Sequence, residues 1–112
     1  MFNGGHTVIY STDAAADREI FKTVLGFKNI DAGDGWLIFS LPPSELAFHP
    51  HENSTAHELY LMCDDLDTAR QFLVSNGIEC AEPIDEGWGI LSSFVLPGGS
   101  SIGFYQPRHE RP

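Results

Sequence analysis

The sequence predicts an α+β chain made of two βαβββ units packed into one domain, and three observations carry that expectation. The segments "GHTVIYSTDAAADREIFKTVLGFK" and "AHELYLMCDDLDTARQFLVSNGIE" match at a constant step, with His6, Asp13 and Gly26 recurring as His57, Asp64 and Gly77, each 51 residues further on. The match continues beyond these segments with a growing offset. Gly35 and Trp36 answer to Gly87 and Trp88 at 52, Leu41 and Pro42 to Leu96 and Pro97 at 55, and Phe48 to Phe104 at 56. Finally, 112 residues with a hydrophobic fraction of 42% suit a single domain, whereas half that length is small for a core of its own. A repeat that fills the chain twice therefore reads as two units sharing one interior.

Each element has a local reason. "HTVIYS" is rich in β-branched and aromatic residues and reads as a strand. Thr12 or Asp13 supplies a side-chain oxygen for the first free amides of a helix running to about Leu25. Ala16, Ile20, Phe21, Val24 and Leu25 fall on one face of that helix, and Gly26 suits a left-handed stop. "KNIDAG", "GWLIFSL" and "ELAFHP" are three short strands separated by Gly, Asp and Pro. In the second unit "HELYLMC" is the strand and Asp64 or Asp65 the cap. Leu66, Ala69, Phe72 and Leu73 form the buried helix face, and Asn76 and Gly77 the stop. "IECAEPI", "WGILSSFVL" and "SIGFYQP" complete the unit, with "PGG" as the last turn. The units span 4–50 and 56–107 of a single domain, and 108–112, which holds His109, is a tail.

Charge and composition act by exclusion. Sixteen acidic against six basic side chains leave a formal charge of −10, which repels phosphate backbones and anionic lipid, so nucleic acid is not an expected partner. No run of eighteen apolar residues and no basic segment followed by an apolar stretch occurs, so neither a membrane span nor a secretory signal is expected and the location reads as cytoplasmic. Cys63 and Cys80 offer neither a disulfide framework nor CxxC spacing and read as reduced core residues.

A duplicated βαβββ unit that opens on His, carries Asp seven positions on, ends its helix in "LGF" or "NGI" and closes on "GFYQP" resembles the vicinal oxygen chelate superfamily. That superfamily includes glyoxalase I, bleomycin-resistance proteins and extradiol dioxygenases. The resemblance covers His6 to Pro107. It implies that the two sheets form a cup with the helices outside, and that metal ligands or substrate contacts project into it from the strands. The cup is built within one chain or by exchange of units between two.

Side-chain alternation then assigns the lining. With His6 inward, Val8 and Tyr10 share its face while Thr7, Ile9 and Ser11 turn to the helix; by the repeat, His57, Leu59, Leu61 and Cys63 also point inward. Tyr105 and His49 join the candidate ligand contacts. Trp36 and Trp88 read as repeated packing devices or as flat walls, with packing the commoner use of an aromatic. The resemblance also implies where a divalent ion would be completed: by a carboxylate two residues before Tyr105. That slot holds Gly103, and its counterpart in the first unit holds Ala47.

Two readings stay open. One is a binding protein for a small, partly apolar molecule, with no tightly bound cofactor. The other is a metal-dependent lyase or dioxygenase using His6 and His57 with an unusual third ligand, Glu45, His49 or a group from a second chain. On the first reading, Gly103→Glu is expected to restore a metal site. Glu58 and His51 read as rim and linker residues, and the assembly as a homodimer.

Overall fold

The computed structural model describes residues 7–9, 11–44, 50 and 58–110. The first-unit elements within it are a helix, α1 (Ala14–Glu19), which continues into a π-helical stretch (Ile20–Val24), and two strands, β1 (Asn29–Asp31) and β2 (Leu37–Phe39). The second unit supplies β3 (Tyr60–Met62), α2 (Leu66–Ser75), β4 (Ile84–Asp85), β5 (Gly89–Val95) and β6 (Ser101–Pro107). β1 and β2 form an antiparallel pair, while the second-unit strands form a four-stranded sheet in the order β3-β6-β5-β4, with β3 parallel to β6 and the other pairs antiparallel. The expected α+β class and the βαβββ order of the second unit are present. No helix among the described residues is long and apolar enough to cross a membrane.

Both helices start and stop on the chemistry their sequences carry. Asp13 accepts from the Ala16 amide at 3.3 Å, and Asp65 from the Thr68 amide at 3.0 Å. At the other end of α2, Gly77 sits at φ 82° and the Ile78 amide reaches back to Leu73 O at 3.0 Å, tucking Ile78 against the core. α1 ends one residue wider. The Leu25 amide bonds Ile20 O at 3.0 Å, the Phe27 amide bonds Phe21 O at 3.1 Å across Gly26 at φ 69°, and the Phe27 ring meets the Phe21 ring edge-on at 5.8 Å.

That extra residue corrects the repeat. The caps are Asp13 and Asp65, 65 − 13 = 52 apart, whereas the stops Gly26 and Gly77 are 77 − 26 = 51 apart. The first helix is therefore longer by one residue, and the excess is accommodated as an i→i−5 turn. A constant step of 51 pairs Asp13 with Asp64 and is wrong at the cap.

The core consists of Phe21 from the π stretch, Leu66 and Leu73 from α2, Phe94 from β5 and Leu96 just after it, and Ile102 and Phe104 from β6. Ile20, Val24 and Leu25 pack against it, as the helical periodicity of α1 predicts. Phe72 does not belong to the buried face: it is 50% exposed, lying about a third of a turn from the line of Leu66 and Leu73. Two expected strands are reduced. Residues 7–9 and 11 carry no strand, and "ELAFHP", the partner the unit's order would give them, falls mostly outside the described residues. Of "IECAEPI" only Ile84 enters a strand, β4, because Pro83 has no amide to donate, although the Ala81 amide still reaches Ser93 O at 2.9 Å.

A polar contact adds to the shared core in joining the units. Asp17 is buried on α1, and its Oδ1 accepts from the Gly98 amide at 2.7 Å, while Thr12 Oγ1 donates to Gly98 O at 3.3 Å. The approach needs a glycine, since a Cβ at position 98 would overlap Ser11 Oγ and lie 2.7 Å from Asp17 Oδ2. Asp17→Ala should lower the unfolding free energy by about 1–3 kcal/mol through loss of a charge-assisted bond. Gly98→Ala should cost a similar amount, about 1–3 kcal/mol, through overpacking. Urea denaturation measures both, and wild-type midpoints in both variants would show that this contact does not hold the units together.

Candidate functional site

The second-unit sheet has α2 and the core on one face, and its other face carries the candidate site. In register, Leu61 lies beside Phe104, and Tyr60 and Met62 lie beside Gly103 and Tyr105. Leu59, Leu61 and Cys63 therefore pack against the core on the α2 side, which corrects the expectation that they line a cup. The cause is the position of the cap. Seven residues before Asp13 is His6, and seven before Asp65 is Glu58, so counting from the caps places Glu58, Tyr60 and Met62 in the phase first given to His57, Leu59 and Leu61. In the first unit Ile9 packs against the core and Val8 is exposed. His6, Tyr10, Glu45, Ala47, His49, His51 and His57 lie outside the described residues.

Three aromatic rings meet on the open face. Tyr105 is central, with Tyr60 edge-on at 5.9 Å and 89° and Trp88 at 5.5 Å and 74°. Glycines let these rings lie against the backbone. A Cβ at Gly103 would overlap the Tyr60 ring, and one at Gly89 would come within 3.1 Å of Tyr105 Cδ2. Trp88 is set by its turn: Asp85 Oδ1 accepts from the Gly87 amide at 2.9 Å and from Arg108 at 2.6 Å, and the Arg108 amide bonds Trp88 O at 2.8 Å. The Gly87 amide and then Arg108 hold the Asp85 carboxyl below its usual range. Trp36, the repeat counterpart of Trp88, instead lies beneath the Arg18 guanidinium at 5.1 Å. Trp36, still 59% exposed, is thus paired with an arginine, while Trp88 stands with the tyrosines.

The polar surroundings are acidic. Burial, a hydrogen bond to Glu58 and the charges of Glu58 and Glu86 raise the Tyr60 phenol above its ordinary pKa, so it remains a neutral donor at physiological pH. His109, expected as part of the tail, turns back onto the cluster. Its ring lies 6.0 Å from that of Tyr105, and its Nε2 is 3.2 Å from Tyr105 Oη. The repeat did mark Trp88, with a flat wall as one of its two readings, whereas Tyr60 and His109 were not singled out, although each sits within a few positions of a residue that was. Away from the aromatic face, a groove of about 550 Å³ is lined by Ile20 of the π-helical stretch and by Ile78, Glu79, Cys80, Ser93 and Pro97 among others. It opens broadly to solvent, and burial keeps its Cys80 thiol protonated, so it gathers no convergent polar chemistry.

The slot for a metal-binding carboxylate does not fit one in the second unit. Gly103 occupies it and the Tyr60 ring covers the glycine, so Gly103→Glu, expected from sequence to restore a site, would drive a side chain into that ring. Among the described residues no three His, Cys, Asp or Glu side chains converge as ligands. Gly103→Ala should destabilise the fold by about 1–3 kcal/mol through overpacking, and most of that cost should vanish in a Tyr60→Ala background. An additive double-mutant cycle would show that Tyr60 does not rest on Gly103.

No family model matches the sequence, and no curated protein matches it. Solved structures do resemble it. TnmS3, an antibiotic-binding protein from a Streptomyces species, aligns over 96% of this chain and 98% of its own, at 22% identity and a TM-score of 0.67. A lactoylglutathione lyase from Agrobacterium tumefaciens aligns over 89% and 90%, at 15% identity and 0.65. A glyoxalase/bleomycin resistance protein from Streptomyces aligns over 86% and 93%, at 19% identity and 0.55. At these identities the likeness is one of fold. The chain has the fold of the glyoxalase/bleomycin-resistance proteins.

Proposed function

We propose that this chain is a cytoplasmic binding protein for a small, flat, partly apolar molecule, held on the open face of the second-unit sheet without a bound metal. The observation that carries this reading is the Tyr60, Tyr105 and Trp88 cluster, with Tyr60 38% and Trp88 49% exposed on the face away from the core. Three rings that meet edge-to-face offer an apolar wall with phenol groups at its margin, a composition suited to small-molecule recognition. Glu58, Glu86 and a chain charge of −10 disfavour anions there. An antibiotic-binding protein and a lyase share the fold, so the choice of binding over turnover rests on the aromatic wall.

Titration with 2-naphthol, followed by tryptophan fluorescence, tests the proposal. Trp88→Ala should weaken binding about three- to tenfold, the worth of one aromatic contact, and Trp36→Ala should leave it unchanged. Equal losses in both variants would remove the wall from the site, and binding abolished by chelator would favour the metal-dependent lyase or dioxygenase reading.

The working form is proposed to be a homodimer, because Phe72, Val74, Ile84 and Val95 leave large apolar side chains at least half exposed. Sedimentation at micromolar concentration should give twice the 12.4 kDa chain mass, and a monomer mass throughout would overturn this.

A further inference from the structure

The geometry points to a cationic nitrogen as the group that the wall of Tyr60, Tyr105 and Trp88 selects, so that its ligand is a flat molecule bearing a protonated amine or a quaternary ammonium. This deepens the binding reading above and rests on it. The first unit shows what a tryptophan at this position does with a cation: Arg18 lies over the Trp36 ring at 5.1 Å. A step of 52 carries Asp13 to Asp65 and Trp36 to Trp88, 88 − 36 = 52, and it carries Arg18 to Arg70, 70 − 18 = 52. Arg70 is turned elsewhere. Its Nε donates to Ala81 O and its Nη2 to Glu82 Oε1, each at 3.3 Å. Trp88 therefore keeps the position of Trp36 without the arginine of its own helix, and Tyr105 meets it edge-on instead.

The charge around the wall has the sign that such a ligand needs. Glu58 lies two positions before Tyr60, in the same phase of the strand, and its carboxylate accepts from the Tyr60 hydroxyl. Glu86 stands at the β4–β5 turn, with its amide on Gly89 O at 3.0 Å, and acts on the same phenol through its charge. Both glutamates are exposed. The Arg108 guanidinium is held by Asp85 at 2.6 Å, so that pair adds no net charge beside Trp88. Aromatic faces attract a cation, and neighbouring carboxylates strengthen the attraction, whereas a neutral group of the same shape gains neither. A protonated amine also brings N–H donors to Glu58 or Glu86; a quaternary ammonium is held by the rings and the charges alone.

The test compares phenyltrimethylammonium with tert-butylbenzene, which share a shape and differ in charge. It uses the full chain carrying Trp36→Phe, where Trp88 is the remaining tryptophan and its fluorescence reports on the wall. The ammonium should bind about three- to thirtyfold more tightly. Glu58→Gln or Glu86→Gln should lower that ratio about two- to fivefold with tert-butylbenzene binding unchanged. Glu19→Gln, which removes the same charge from α1, should leave the ratio unaltered. Equal binding of the two probes, or a loss in Glu19→Gln as large as in Glu86→Gln, overturns cation selection by the wall, and the wall itself stands if 2-naphthol still binds. If 2-naphthol and both probes leave the Trp88 signal unchanged, the wall and this inference fail together.

Discussion

The corner between β3 and α2 is the constraint on which the site depends. Three hydrogen bonds fix it: Cys63 N–H to Tyr105 O at 3.0 Å, Leu66 N–H to Gln106 Oε1 at 3.0 Å, and Thr68 N–H to Asp65 Oδ1 at 3.0 Å. Two of the acceptors belong to β6 and the third caps the helix, so strand phase and helix start are locked together. A slip of one residue would exchange the faces of β3, sending Tyr60 toward the core and Leu61 toward solvent. Because the Leu66 amide is satisfied by a side chain from the neighbouring strand, such a slip would also leave a helix-end donor unpaired.

Much of the fold was legible because its signals are local. The two left-handed glycines, the β1–β2 and β5–β6 hairpins and the apolar stripe of α1 each follow from a few adjacent residues. The phase of β3 was not, because "DDLD" offers two aspartates one position apart and either satisfies the spacing rule for a cap. The constant step of 51 favoured Asp64 by assuming helices of equal length. Nothing in "IFKTV" announces a π turn, which arises when the flanking contacts of Phe21 and Phe27 outweigh the regular ladder. The returning tail was equally hidden, since the Tyr105 and His109 contact depends on where β6 ends.

The paired tryptophans show how a shared position acquires separate duties. Both follow a glycine at a hairpin, yet one lies under an arginine of α1 and the other against a tyrosine of β6. The difference comes from the neighbours each unit presents. Asp17 is a similar case: it is a polar residue in a helix whose partner, the Gly98 turn, belongs to the other unit and is invisible to any within-repeat comparison. Its second oxygen is buried without a hydrogen-bond partner among the described residues, which makes the contact tolerant of neither a larger residue at 98 nor a displaced turn.

The widened end of α1 also has a bearing on how such a chain can vary. In an α-helix one inserted residue rotates everything beyond it by about 100°, enough to turn a buried stripe outward. Absorbing the insertion in a single broad turn confines that rotation to Ile20–Val24. The loop after Gly26 and the hairpin beyond it keep their place. A length change that would otherwise propagate through the whole unit is reduced to a local swelling of one helix, and the two copies are thereby free to drift apart in sequence length while their strands stay in step.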